Sequence, residues 1–148
     1  MQALSYFKKD HMGNAFAFHQ VSDDLIFIRW TSTATHQDEV LFIKALQHCL
    51  NHAAHPLYFL SDLTNGCIVG IKPLGELGKL TQHRNWAGST AFTLSMISRV
   101  YASSFRSLSR DTADKNTVCE SVHEALAFLE SLKPGVTADI DWERHFAD

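Results

Sequence analysis

Three histidines, His48, His52 and His55, stand in an HxxxHxxH spacing with Cys49 among them. On a continuous helix their positions fall within about 60° of one another, so three imidazoles could face one divalent ion. The apolar residues of the same stretch lie on the opposite face, which leaves the histidines in solvent. Pro56 disfavours helical geometry at His55. The plainer reading is a solvated polar face near a helix C-terminus, where a cationic imidazole is favourable. Arg99, Arg106 and Arg110 form a basic stripe that could meet phosphate or an acidic partner, or simply be solvated. No aromatic residues interleave with it, which argues against nucleic acid. Cys67 has no nucleophile motif around it. The chain holds no G-x-S-x-G, no phosphate-binding P-loop and no G-x-G-x-x-G. No catalytic residue, metal or cofactor is assigned, and the expectation is a protein that is not an enzyme.

One stretch does look built for signalling: "DLTNGCIVGIKPLGELGKL", Asp62–Leu80. An acidic residue ends an apolar run, a loop follows, and Pro73 opens a helix-like segment. A hydroxyl at the start of such a helix could accept phosphate. Yet no serine or threonine lies between Val69 and Leu80; the hydroxyl nearest the helix start is Thr64, back at the end of the strand.

The chain has 148 residues, 45% apolar and 20% charged, which fits one soluble domain large enough to need no staples. Its core is expected over roughly 15–133, with 134–148 as a tail. The net charge of −3 argues against bulk nucleic-acid binding. Cys49, Cys67 and Cys119 are scattered and odd in number, as reduced thiols are. The first residues lack the apolar core of a signal peptide, and no apolar window is long enough to span a membrane. A cytoplasmic protein is the expectation.

"AFAFHQ" and "LIFIRW", split by "VSDD", read as a β-hairpin. "THQDEVLFIKALQHCLNHAA" reads as a helix capped by Thr35 and Asp38, with Phe42, Ile43, Leu46, Cys49, Leu50 and Ala53 on one face. "PLYFLSDL" suits a strand covered on both sides. Lys72–Gln82 is helical in pattern, weakened by Gly75 and Gly78, with Pro73 at its first position. "HRNWAG" reads as a loop in which Trp86 either plugs the fold or stands exposed. "STAFTL" and "NTVCE" read as strands. The helix between them carries Ile97, Val100, Tyr101, Ser104, Phe105 and Leu108 on one face. "SVHEALAFLESLK" has a capping box, Ser121 with Glu124, and a stripe of Val122, Ala125, Leu126, Leu129 and Leu132. Trp142 and Phe146, spaced i, i+4, could fold back on the domain or pack on a second subunit. Strands alternating with helices require crossovers and hence a mostly parallel sheet.

The element order, "YFLSDLTN" followed by "GIKPLGELGKL", and the closing "VHEALAFLESL" together resemble the STAS-type domains, in particular the SpoIIAA-like, anti-sigma-factor-antagonist branch. The resemblance covers about Ala15–Lys133. It implies an α/β sandwich with a mixed, mostly parallel sheet of about five strands and four helices. In that family the motif D-S-S-G-L-G opens the helix and carries the phosphorylated serine. Here Gly70 falls on the aspartate, Ile71 on the phosphorylated serine, Lys72 on the next serine and Pro73 on the glycine. Leu74 and Gly75 keep the L-G. The shape residues survive and the phosphoryl chemistry does not. The family uses this loop and the adjacent helix face for binding. The expected partner-binding residues are therefore Asp62, Thr64, Asn65, Ile71, Lys72 and Leu74, docking a protein partner or a second copy as a homodimer. The alternative is a small apolar ligand or lipid, which requires an enclosed apolar pocket of about 300 Å³ or more.

Overall fold

A computed structural model of the chain describes residues 15–108 and 114–146, apart from the side chains of Tyr101, Phe105, Arg106 and Leu108. The opening hairpin is present. β1 (Phe16–Gln20) runs antiparallel to β2 (Leu25–Trp30), with Phe16 opposite Trp30. α1 (His36–His52) then crosses over to β3 (Leu57–Asp62), which pairs parallel to β2. α2 (Ile71–Leu80) leads to β4 (Trp86–Phe92), and α3 (Met96–Leu108) to β5 (Asn116–Cys119). Both later strands also join in parallel, giving the order β1-β2-β3-β4-β5. α4 (Val122–Leu132) and a short α5 (Trp142–Phe146) close the chain.

Three successive crossovers advance in one direction. Since such crossovers are right-handed, they set α1, α2 and α3 on the same face. The packing agrees. Ile26, Ile28, Trp30 and Phe59 bury against Phe42, Leu46 and Leu50 of α1, Leu74 of α2 and Ala102 of α3. Alternation along the strands sends Leu25, Phe27 and Leu60 the other way, against Ala125 and Leu129 of α4. α1 starts at the expected cap: Asp38 N donates to Thr35 Oγ1 at 3.2 Å, and Thr35 N returns a bond to Asp38 Oδ2 at 3.0 Å.

The structure differs from the sequence expectations at particular places. Among the described residues there are five helices rather than four. The segment after α4 takes the first of its two open courses and folds back on the domain: Val136 is buried, and Phe146 sets its ring 5.3 Å from Phe27 and 5.6 Å from Phe92, edge-on to both. Trp142 stacks on Phe146, so both pack on this chain's own sheet. Pro73 is the third residue of α2, not the first, a place where the N–H would still lack an intrahelical partner. Trp86 begins β4 rather than preceding it. It lies 4.6 Å from Phe59, and its indole N–H donates to Asn116 Oδ1 at 3.0 Å. Among the described residues, no helix is long and apolar enough to cross a membrane.

Candidate functional site

Because β2, β3 and β4 run parallel, the chain leaves all three at one end of the sheet, and the N-termini of α1, α2 and α3 gather there. The Asp62–Leu80 stretch forms the middle of this end. Asp62 closes β3 with its carboxylate turned inward. It sits 3.8 Å from Arg29 Nε and accepts the Thr64 amide at 2.9 Å, which folds the chain into a turn. Leu63 is buried and tied on both sides: its amide donates to Phe92 O, and Thr93 Oγ1 donates to its carbonyl. The next turn is pressed against the loop after β2. Ala34 N donates to Cys67 O at 3.1 Å, and a Cβ on Gly66 would lie 2.0 Å from Ser32 O, so only glycine fits there. Cys67 and Ile68 point into the core, and burial pushes the Cys67 thiol above its ordinary range, against a bond from Ser98 that acts the other way. A buried thiol held protonated is a poor nucleophile.

At the start of α2 the resemblance places Gly70 where an aspartate belongs. The carboxylate there is supplied from α1: Glu39, buried, accepts the Gly70 amide at 2.9 Å. A Cβ at Gly70 would stand 3.0 Å from both Glu39 oxygens and 2.9 Å from Pro73 Cγ. The small residue and the distant acid therefore go together.

Of the expected partner-binding residues, Thr64, Asn65, Ile71 and Lys72 are exposed at this end. Asp62 and Leu74 are not surface residues. Asp62 shapes the turn, and Leu74, 4% exposed, is part of the core. Leu74 packs against the sheet, while Ile71, at the first position of α2, stands clear of it.

Sequence reasoning missed the larger part of the surface. Leu94, Met96, Ile97 and Val100 join Ile71 as exposed large apolar side chains, between 57% and 84% accessible. They occupy the entry and first turns of α3, beside α2. Among the described side chains of α3, those buried are Ser98 and Ala102, spaced i, i+4 and small. They let the helix lie close to the sheet and turn the Ile97–Val100 side outward. Ser95 caps α3 through its hydroxyl, which accepts Ser98 N at 3.3 Å. Leu94 stands just before this cap, where an apolar residue usually packs on the fourth helical residue. That residue is Arg99, whose guanidinium is paired instead with Glu120 at 2.6 Å. Leu94 thus gains nothing inside the monomer. The two helices that open here, α2 and α3, also have no acidic residue in the first turn, whereas α1 and α4 do.

The histidine candidates are placed apart from this surface. His48 and His52 stack ring on ring at 4.1 Å on α1, and His55 lies beyond its end. Among the described residues, no group of three His, Cys, Asp or Glu side chains is placed to hold an ion. Of the arginine stripe, Arg110 and the Arg106 side chain lie outside the described residues. Between the sheet and α1–α3 runs an apolar cavity of about 80 Å³, walled by Trp30, Phe42, Phe59, Leu74 and Trp86. A ligand site is ordinarily about 300–1,000 Å³. A wider open trough of about 580 Å³ runs past Asp23, Asp24, His55 and Lys133, with polar walls.

No family model matches the sequence, and no curated protein does. Among solved structures, the chain is similar to an uncharacterised protein of the DUF3478 family from Shewanella loihica PV-4, described as having a SpoIIAA-like fold. Identity is 17%, the match covers 78% of this chain and 92% of the other, and the TM-score is 0.53. The chain has a SpoIIAA-like fold, as its motif order implies.

Proposed function

We propose that this chain is a non-enzymatic docking module, and that it binds a protein partner through the apolar end of the sheet where α2 and α3 begin. The observation that carries the reading is the cluster of Ile71, Leu94, Met96, Ile97 and Val100 in water. Single exposed apolar residues are ordinary; five at the mouths of two adjacent helices are not. The loop beneath them is held by the Glu39–Gly70 and Asp62–Thr64 bonds and by the Gly66–Ser32 contact. A preformed surface loses little freedom on binding. Ile71 in place of a hydroxyl removes any phosphate acceptor from the helix start, so docking is not switched there.

The small-ligand alternative has the apolar cavity in its favour, but about 80 Å³ is well short of a lipid or cofactor. Photo-crosslinking in the host cell separates the readings. A photoreactive phenylalanine analogue is placed at Ile71 or Ile97, and as a control at Lys44, exposed on α1. Protein adducts from the first two positions and none from the third are expected. Adducts equally abundant from Lys44, or none from Ile71 and Ile97, would overturn the docking reading.

A further inference from the structure

We infer that the occupant of this surface is a second copy of the chain, joined about a two-fold axis that passes beside Ile97 of α3. The inference rests on the docking reading and adds the partner to it.

Size is the first argument. Side chains of these sizes at 57–84% exposure present on the order of 600 Å² of apolar surface, the upper end of what a monomer leaves in water and most of the roughly 800 Å² that one side of a standard interface buries. Thr64, Asn65, Lys72 and Ser95 stand around it and supply the polar rim such interfaces carry.

Self-complementarity is the second. A two-fold contact brings each group against the same patch of the other copy, so any charge near the axis meets its like. Among the described residues, the centre of this surface contains no charged side chain. Its nearest cation on α3, Arg99, is already tied to Glu120 of the same chain. An apolar centre matches itself without further provision.

Geometry is the third. Met96 and Val100 are one turn apart, with Ile97 between them on the same side. If α3 of one copy lies antiparallel to α3 of the other with Met96 of each against Val100 of the other, the axis falls level with position 98 and the two Ile97 side chains flank it, offset by about 3 Å along the helix direction. The helix dipoles then oppose, and the flexible Met96 fills the gaps. Leu94 and Ile71 close the two ends of the seam, which gives each of the five exposed side chains a contact the monomer denies it.

Sedimentation velocity of the purified full chain, from about 1 µM to about 200 µM, tests the inference, since contacts of this area associate in the micromolar range or tighter. A concentration-dependent dimer is expected. Ile97→Asp and Met96→Asp should each weaken it by at least about 30-fold while leaving the circular-dichroism melt unchanged at a concentration where the parent is monomeric, because both side chains of the monomer are in solvent. Val40→Asp, on an exposed position of α1, should leave the dimer intact and serves as the control. A monomer throughout the range overturns the second copy but not the docking reading, which stands or falls on the adducts from Ile71 and Ile97. A dimer that survives both α3 variants overturns the inference as well, because its seam would lie elsewhere.

Discussion

Glu39 and Gly70 are joined by a single hydrogen bond that reaches across 31 residues of sequence: the buried carboxylate of α1 accepts the amide that precedes α2. That bond decides where α2 begins and which way Ile71 faces. Removing the acceptor in Glu39→Ala leaves a part-buried N–H with no partner, a loss of about 1–3 kcal/mol. Glu39→Gln keeps a carbonyl oxygen in reach and should lose less than half as much. Urea midpoints at unchanged slope measure both, and an alanine variant as stable as the parent would mean that other contacts hold the loop.

Two glycines near this loop should respond oppositely to the same change. Gly66→Ala forces a methyl into the Ser32 carbonyl, which is backbone and cannot step aside. A loss above about 3 kcal/mol, or failure to fold, is expected. Gly75 lies within α2, and a Cβ added there would meet no atom within 4 Å. Gly75→Ala removes unfolded-state freedom and should raise stability by about 0.5–1 kcal/mol. Thermal melts of the two variants side by side give the comparison.

Most of the frame is legible in the sequence because local signals agree with one another. Thr35 with Asp38 and Ser121 with Glu124 mark the starts of α1 and α4, and the apolar run of "PLYFLSDL" marks a strand buried on both faces. The functional surface is harder to read. Periodicity groups Ile97 with Val100 correctly but cannot say whether that side faces the sheet. Ser98 and Ala102, small enough for close approach, take the inner position. Glu39 cannot be linked to Gly70 either, since nothing local marks a contact between α1 and a loop thirty residues on. Leu74 is placed on the surface only by the resemblance, which points the start of the helix outward; in the structure it faces the sheet.

The C-terminal helix should loosen in acid. His19 lies on Phe27 with ring centres 6.1 Å apart, and His145 of α5 stands 6.4 Å from it. Burial first, then His145 and Arg29, hold the His19 imidazole below its ordinary value of 6.5. The unfolded chain therefore binds a proton near pH 6.5 that the folded chain resists. The stability this linkage contributes is complete above pH 6.5 and is lost as the pH falls through the lower folded value. Melting temperatures from about pH 7.5 down to about pH 5 should decline, and less steeply for His19→Gln. Equal slopes for parent and variant would assign the acid sensitivity to other groups.

Ile71 and Leu74 belong to the same turn of α2 and should part company under the same substitution. Ile71 is 84% exposed, so Ile71→Asp puts a carboxylate in water and should shift stability by no more than about ±0.5 kcal/mol. The new acid would also sit at the first position of a helix that has none in its first turn, a small gain if anything. Leu74→Asp drives the same group into an apolar wall between Phe59 and Trp86, with no partner for its charge. A loss of about 3 kcal/mol or more is expected there. Guanidinium midpoints of the two proteins, each tested for dimer in parallel, distinguish surface from core. Ile71→Asp should remain folded with its association weakened, and Leu74→Asp should unfold early. If Ile71→Asp proved as unstable as Leu74→Asp, Ile71 would belong to the core, and the surface at the mouths of α2 and α3 would lose the residue that links its two helices.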